Sequence, residues 1–499
     1  MVKRNETNDW ASPKRQSPVA IVLILFRVIK MLFKQAWPIL LLFIFNQKNK
    51  TDNTYSLAFT ALGVLSSVMS IISYFRFYYY IEGDELVLKK GLFKKTKINV
   101  PFDRIQSINS SQNLVHRFFN VVSLEMDTAG SKGSEIKISA LSLQEAEDLK
   151  KYILGKKILS DSLKTDPTES KIEPFIQTEK KLLQLSIADL LKIGIGQNHL
   201  RSLSLIALFI FGLGEYADML LEREDFEQIE NHFVTILKSS FIILVILAII
   251  LSLVLTLLRT IIRYYGLNFS ETEKGFKVIS GLFDRKEKFA ALKKIQLFQW
   301  SINPISQIFK LYDLSLSLAS SVQSIRGQTM QVPGLYLNQI QDILKSYFPK
   351  RYILSFSEHG ISWRIIIKRI NLYGFPPLGI VIIERYITKA PFSPWMLLWL
   401  VLIFFTSYIF WKKWKFKLST EGIETQSGIF STNFTLLKWY KVQSIIIRQS
   451  IFQKRLGFAD IHFSSAGGTV SIPYIPYKKA LQMKNFVLYK VETSKKHWM

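Results

Sequence analysis

Ile81-Glu82-Gly83-Asp84-Glu85-Leu86, then Gly91-Leu92-Phe93, then Ile105-Gln106-Ser107, is a phrase this chain writes three times. Gly281-Leu282-Phe283 with Ile295-Gln296-Leu297 is the second copy, and Gly428-Ile429-Phe430 with Val442-Gln443-Ser444 the third. The glycine and the glutamine stand 15 residues apart each time (106−91, 296−281, 443−428). An ungapped match at two anchors in three places marks a tandem array of one module. Around the first copy, Arg76–Ile81 is aromatic and β-rich, Glu82-Gly83-Asp84 is a turn, and Leu86-Val87-Leu88 is a strand. Gly91 then turns the chain into Lys95–Val100. The third copy repeats this with Phe416–Ser419, Thr420-Glu421-Gly422, Ile423–Ser427 and Gly428. Short strands punctuated by glycine turns predict a β-meander.

Later strands recur at matched offsets: Leu124-Glu125-Met126, Leu314-Ser315-Leu316 and Ile461-His462-Phe463. Each copy closes on a helical pattern, Ser142–Leu154, Tyr336–Phe348 and Tyr477–Tyr489, and Ser142 with Glu145 forms a capping-box start. The module is therefore expected to be a small antiparallel barrel or sandwich whose edges a C-terminal helix protects. Gly91, Gly281 and Gly428 read as turn residues needing positive φ. Gln106, Gln296 and Gln443 follow Ile105, Ile295 and Val442, and read as amides that satisfy backbone groups where a strand leaves the barrel. The repeat signature is thus read as structural.

The 499 residues suffice for three or four domains. Hydrophobic residues make up 48% and charged residues 21% of the chain, so apolar and charged groups must be segregated, as in a membrane protein with large aqueous domains. With no cysteine, disulfides, iron–sulfur clusters, thiol nucleophiles and Cys-based zinc sites are excluded. Met1–Arg15 is polar and includes Glu6 and Asp9, so no cleavable signal peptide is read and the first apolar stretch is expected to remain as an anchor.

Six candidate spans fall in three pairs: 29–45 with 55–75, 200–217 with 239–258, and 372–387 with 395–411. The fifth is the weakest, because Pro376-Pro377 and Glu384 shorten its apolar run. Val19–Lys34, with Arg27, Lys30 and Lys34 on one helical face, reads as an interfacial amphipathic helix leading into the first span. Arg76, Arg259, Arg263, Arg364, Lys368, Arg369, Lys412, Lys413 and Lys415 flank the span ends that face the repeats. The 218–233 loop instead carries six acids against Arg223. The positive-inside rule then places the repeats and both termini in the cytoplasm.

At this point the pattern resembles the bacterial pleckstrin-homology-like (PH-like) membrane proteins of the YdbT type. The repeat phrase, Arg15-Gln16-Ser17-Pro18 before an amphipathic stretch, and Leu185-Ser186-Ile187-Ala188-Asp189-Leu190-Leu191 before the second hairpin carry the resemblance. It implies PH-like domains of two curved sheets and a capping helix, and a place in the cytoplasmic membrane. Leu297 departs from the serine of the other copies, which sets the second module apart. The expected fold class is a mixed α and β membrane protein with about six transmembrane helices and three PH-like domains. Its expected divisions are a cytoplasmic N-terminus (1–18), an amphipathic helix and first hairpin (19–75), PH-like domain one (76–155) and a polar linker (156–179). The second hairpin (180–261), domain two (262–349), the third hairpin (350–411) and domain three (412–499) follow.

Among candidate sites, Lys94, Lys95 and Lys97 stand on the first repeat's turn, where each lysine near an anionic leaflet would contribute about 1 kcal/mol. Anionic lipid headgroups are the ligand class they would take. The +27 net charge does not point to nucleic acid, because no recognition helix, zinc finger or RNP-like motif accompanies it. The six histidines are scattered without metal-ligand spacing, and no Walker A, GxGxxG or placeable serine nucleophile occurs, so no enzyme, metal or cofactor is expected. Asp189, Arg201 and Glu384 lie near span ends and read as snorkelling residues. The expected function is a multi-pass protein of the cytoplasmic membrane, presenting three modules as a non-enzymatic lipid- or protein-binding platform. Other membrane proteins or further copies of the chain are candidate partners. The alternative is a component of a transport or export system, although Ser239–Leu258 offers few polar groups for a solute path.

Overall fold

Each repeat folds as two antiparallel sheets and a closing helix. In the computed structural model the described residues are 10–26, 30, 63–65, 67–69, 71–91, 95–128, 134–162, 179–197, 199, 201–208, 223–319, 329–348, 357–389 and 395–494. The first repeat comprises β1 (Tyr78–Glu82), β2 (Glu85–Lys90), β3 (Thr96–Pro101), β4 (Ile105–Gln112), β5 (Val121–Thr128) and β6 (Ser134–Ser142). One-turn helix α1 (Leu114–Phe118) joins β4 to β5, and α2 (Leu143–Ser162) closes the repeat. The second begins with β7 (Lys180–Gln184), helices α3 (Ile187–Gly196) and α4 (Arg223–Tyr264), β8 (Asn268–Thr272), β9 (Gly275–Ser280) and β10 (Arg285–Ala291). It continues through β11 (Ile295–Ile302), α5 (Pro304–Ile308), β12 (Tyr312–Leu318), β13 (Thr329–Leu335) and α6 (Leu337–Tyr347). The third has β14 (Ser357–Gly360), α7 (Arg364–Thr388), α8 (Trp395–Lys413), β15 (Lys415–Leu418), β16 (Gly422–Ser427) and β17 (Thr432–Lys438). It ends with β18 (Ser444–Arg448), α9 (Ile451–Leu456), β19 (Phe458–Ser465), β20 (Gly468–Pro476) and α10 (Tyr477–Glu492).

Two units form: Met1–Gln177 with Ser186–Asn268 and Ile279–Phe289, and Thr178–Leu185 with Phe269–Val278 and Ala290–Met499. In the first, Leu86, Leu88, Val100, Leu124, Met126, Ile136 and Ile138 bury the inner faces of both sheets, and Leu149 and Ile153 of α2 cover them. In the second, Ile423, Leu437, Ile461, Phe463 and Ile472 do the same under Ala480 and Val487 of α10. Alternation along β19, with Ala459, Ile461 and Phe463 buried, is the period-two pattern of a strand with one face on a core.

Strands of the modules lie on both sides of the stretches predicted as hairpins. Lys14 bridges Tyr79 of β1, and Ile81 N–H donates to Trp10 O at 2.7 Å, so the chain before the first hairpin lines the β1 edge. In the second unit β7, β8 and β9 lie side by side next to the end of β10. There β14 also pairs with β15 from Ser357↔Leu418 to Gly360↔Lys415. Strands β7 and β14 fall in stretches read from sequence as hairpin. At five and four residues they are too short for periodicity to reveal, and their partners lie beyond the inserted helices.

Two further differences have local causes. Helix α4 starts at Arg223, inside the acidic stretch read as a loop, because Glu, Gln and Arg are good helix formers there. The linker read from 156 begins as helix, since α2 runs to Ser162, and 163–178 lies outside the described residues. The first predicted span also lies outside them, apart from Lys30. Among the described residues two helices are long and apolar enough to cross a membrane, Val245–Tyr264 and Arg364–Thr388. The latter passes through Pro376-Pro377. Pro377 has no N–H for the Tyr373 carbonyl, and Trp399 of α8 supplies one, its Nε1 donating at 3.1 Å. A π turn over Ile370–Gly374 absorbs the strain of the same break.

Candidate functional site

A one-turn helix follows the same strand in every module, and it is capped the same way each time. Asn113 Oδ1 accepts from His116 N–H at 2.9 Å, Asn303 Oδ1 from Ser306 N–H at 2.8 Å, and Ser450 Oγ from Gln453 N–H at 3.2 Å. The chain leaves each turn through a left-handed residue, Asn120 (φ 52°), Lys310 (φ 56°) and Gly457 (φ 71°). Between cap and exit large apolar side chains face water beside the polar Arg117, Gln307, Lys454 and Arg455. Phe118 is 81% exposed, Ile308 75%, and Ile451 and Phe452 74% and 69%, with Leu114, Phe119, Ile305 and Leu456 also exposed. Scattered single exposures are ordinary, but large apolar groups on the same turn of three modules mark a contact surface.

In the first unit Val115 of α1 packs with Ala20 and Leu23, which precede the first predicted span, and with Tyr74, near the end of the second predicted span. His116 is buried, its Nε2 2.9 Å from Ser139 O. In the second unit Gln453 of α9 donates to Asp460 Oδ1 at 2.6 Å, and Lys368 of α7 pairs with Asp460 Oδ2 at 2.8 Å. Asp460 thereby ties the exposed turn to the first turns of a membrane-length helix, where Trp363 and Ile367 are also exposed.

The repeated Gly-Leu/Ile-Phe turn docks on the other hairpin strut. Gly281 N–H donates to Tyr265 O at 3.0 Å and Leu282 N–H to Ile262 O at 2.9 Å, satisfying carbonyls at the end of α4. Arg117 of α1 donates to Leu282 O at 2.8 Å. In the third module Lys413, at the end of α8, donates to Ile429 O and Phe430 O at 2.9 and 3.1 Å. Phe283 and Phe430 of these turns are exposed. Helix ends, cations and exposed aromatic rings therefore lie together at each of these turns. Helix α3 adds Ile187, Leu191 and Ile195, four residues apart and exposed on one stripe, while Leu190 and Ile193 are buried.

The residues singled out from sequence are placed as follows. Gly91, Gly281 and Gly428 have φ of 115°, 119° and 133°. A Cβ on Gly281 would lie 2.1 Å from Asp284 O, and one on Gly428 1.9 Å from Ser431 O. Ile105, Ile295 and Val442 are buried. The ladder breaks register at Gln106 and Gln296, each in a β-bulge. Gln296 is fully buried beneath Gly467, whose added Cβ would lie 2.6 Å from the Gln296 Cβ, whereas Gln443 is exposed. Lys97 pairs with Glu82 at 3.3 Å across exposed surface, Lys95 is exposed just before β3, and Lys94 lies outside the described residues. Of the three lysines, Lys95 and Lys97 thus stand at the start of β3. Sequence reasoning missed the apolar turns, although a signal was present. Asn113, Asn303 and Ser450 each follow the repeated glutamine by seven residues (113−106, 303−296, 450−443).

One cavity of about 400 Å³ opens beside α10, lined by Leu418, Ser419, Trp439, Met483, Phe486 and Val487 among others, without a titratable group. Among the described residues no cluster of His, Cys, Asp or Glu could hold a metal. Polar side chains of the second hairpin, Ser202, Ser252 and Thr256, bond across the helices or to their backbone, as packing contacts do (Ser202 Oγ to Thr256 Oγ1, 2.7 Å; Ser252 Oγ to His199 O, 3.1 Å).

A comparison with known proteins follows the same division of the chain. The profile of the family described as Bacterial PH domain matches three times, at residues 21–157, 209–351 and 376–491. The chain is also 23% identical over 467 residues, 89% of its own length and 91% of the relative's, to the UPF0699 transmembrane protein YdbT of Bacillus subtilis (strain 168). Three matches covering most of the chain, each reaching through the closing helix of a two-sheet module or nearly so, show that the chain belongs to the Bacterial PH domain family.

Proposed function

We propose that this chain is an integral protein of the cytoplasmic membrane. Three hairpins, six spans in all, hold three PH-like modules against the inner leaflet as a non-enzymatic platform for lipid headgroups or partner proteins. The observation that carries this reading is the capped turn with exposed apolar side chains, repeated in all three modules and standing at a hairpin base in the first and third. Burying a side chain such as Phe452 in the interfacial layer contributes about 1.5–3 kcal/mol. The cations at the hairpin ends add electrostatic attraction to an anionic leaflet. The transmembrane description of the Bacillus relative supports the membrane location.

Single cysteines test the sidedness cleanly, because the chain has none of its own. Cysteines placed at Lys95, Lys310 and Lys478 should react with a membrane-impermeant maleimide only after cells are opened. Labelling in intact cells would overturn the cytoplasmic placement. Anionic lipid retained through purification, measured by mass spectrometry with Lys95→Gln and Lys97→Gln in parallel, separates a role for these lysines from one for the apolar turns.

A further inference from the structure

The modules are joined to one another by the same strand pairing, used twice. In the first unit β4 pairs with β10, Arg285↔Gln112, Lys286↔Ser111 and Glu287↔Ser110. In the second unit β11 pairs with β17, from Leu297↔Leu437 to Ile302↔Thr432. The copies are offset by 190 residues between first and second (281−91) and by 147 between second and third (428−281). On that scale Arg285 and Thr432 are the same position, as are Gln112 and Ile302, so the two junctions have one register. Different side chains fill them. Ser110 Oγ donates to Glu287 at 2.7 Å in one, and Trp300 stacks on Phe434 in the other, ring centroids 5.2 Å apart. The shared feature is the backbone ladder, so the junction belongs to the module and not to one pair of sequences.

Of the strands that occupy these junction positions, β3 and β18 alone have no partner sheet among the described residues. β3 is the counterpart of β10 and β17, and β18 of β4 and β11. On β18 the exposed pattern is that of a junction left open. Ile446 is 42% exposed, and Gln443 is exposed where its counterpart Gln296 is covered by the neighbouring module. A strand edge bearing Ile445, Ile446 and Ile447 is a template for pairing unless something covers it. Lysines beside β3 do not bar a neighbour, since β10 carries Arg285, Lys286 and Lys288 and is paired nonetheless.

We infer that β18 of one copy pairs antiparallel with β3 of a second copy of this chain, repeating the internal junction. The conserved register makes the pairs Thr96↔Arg448, Lys97↔Ile447, Ile98↔Ile446, Asn99↔Ile445 and Val100↔Ser444. Pro101, which has no N–H to give, falls just past the counterpart of the last paired residue, Leu437. Such a contact is head-to-tail, so it builds rings or open arrays rather than a two-fold dimer. The contact uses the backbone edges of β3 and β18, and it does not depend on what the apolar turns contact.

Disulfide trapping between full-length copies in native membranes tests this directly. Copies carrying Lys97→Cys are mixed with copies carrying Ile447→Cys, and Ile98→Cys copies with Ile446→Cys copies. One of these adjacent pairs is non-hydrogen-bonded and has the short separation a disulfide needs. The expected result is a linked dimer in the mixture only, loss of linkage for the slipped pair Lys97→Cys with Ile446→Cys, and a ladder when both cysteines are on one chain. In-chain pairs Gln299→Cys with Thr435→Cys, and Trp300→Cys with Phe434→Cys, report that the junctions are folded and oxidisable. No intermolecular link while either in-chain pair oxidises overturns the proposal. A monomeric disulfide in the doubly substituted chain also overturns it, because the edges would then close within one copy.

Discussion

Lys441 is fully buried at the junction of the second and third modules, with its ammonium donating to the Lys293 carbonyl. Burial first, and Lys438 second, lower its pKa from 10.5 to about 8. In the unfolded chain the same side chain keeps its proton until about pH 10.4. Between these values the unfolded state binds more protons than the folded one, so stability rises with pH. Below pH 8 both states are charged and the folded state carries the full cost of a buried ammonium. At about 1.36 kcal/mol per unit over the roughly 2.5-unit gap, the gain across the window reaches at most about 3 kcal/mol. At about 2–4 °C per kcal/mol for a body of this size, that is roughly 6–12 °C in melting temperature. The perturbation is Lys441→Met, which keeps the length of the stem and removes the charge. The assay is thermal unfolding of the detergent-solubilised protein from pH 7 to pH 10, wild type and variant side by side, so that other lysines cancel. The difference should be largest at pH 7, with the variant the more stable, and shrink as pH rises. Parallel curves across the window would refute the assignment of a neutralising buried lysine to this junction.

Other outcomes follow from backbone geometry. Gly428→Ala places a Cβ 1.9 Å from Ser431 O at a φ of 133°, and should lower stability by about 1–3 kcal/mol, seen in denaturant unfolding of the purified protein. Gly83→Ala, also at positive φ but with open space around its Cβ, should cost clearly less in the same measurement. Trp399→Phe removes the donor to the Tyr373 carbonyl freed by Pro377 and should cost about 1–3 kcal/mol. Steric trapping or detergent-driven unfolding of the third hairpin would show this, and an unchanged midpoint would mean that the carbonyl has another donor.

The sequence made the modules legible because glycine turns punctuate their strands. Gly91, Gly281 and Gly428 sit where a side chain cannot, and a forced turn leaves its mark in local composition. The strands that precede the second and third predicted hairpins were hidden, since β7 and β14 are five and four residues whose partners lie beyond the intervening helices. Module-to-module pairing was equally hidden. Trp300 and Phe434 are 134 residues apart (434−300), and nothing local to either says that they stack. The apolar turns left a weak trace, a capping residue seven places after each glutamine. Helices of five or six residues are nevertheless shorter than the periodicity by which amphipathic faces are read. Lysines 94, 95 and 97 drew attention by charge, but position matters more than composition here. Lys97 is already engaged by Glu82, so its charge does not stand free for a lipid headgroup.

That the modules rest on the bilayer through these turns can be measured by the depth of a probe. Single cysteines at Phe118, Ile308 and Phe452 in the otherwise cysteine-free chain, labelled with an environment-sensitive fluorophore, are reconstituted in vesicles containing lipids with quenchers at defined depths. The account predicts blue-shifted emission at all three, quenched by the shallow lipid-borne group and protected from aqueous iodide, while a label at Thr469 on the β19–β20 side behaves oppositely. Emission at Phe118, Ile308 and Phe452 that is quenched by iodide and untouched by the lipid-borne group would contradict it.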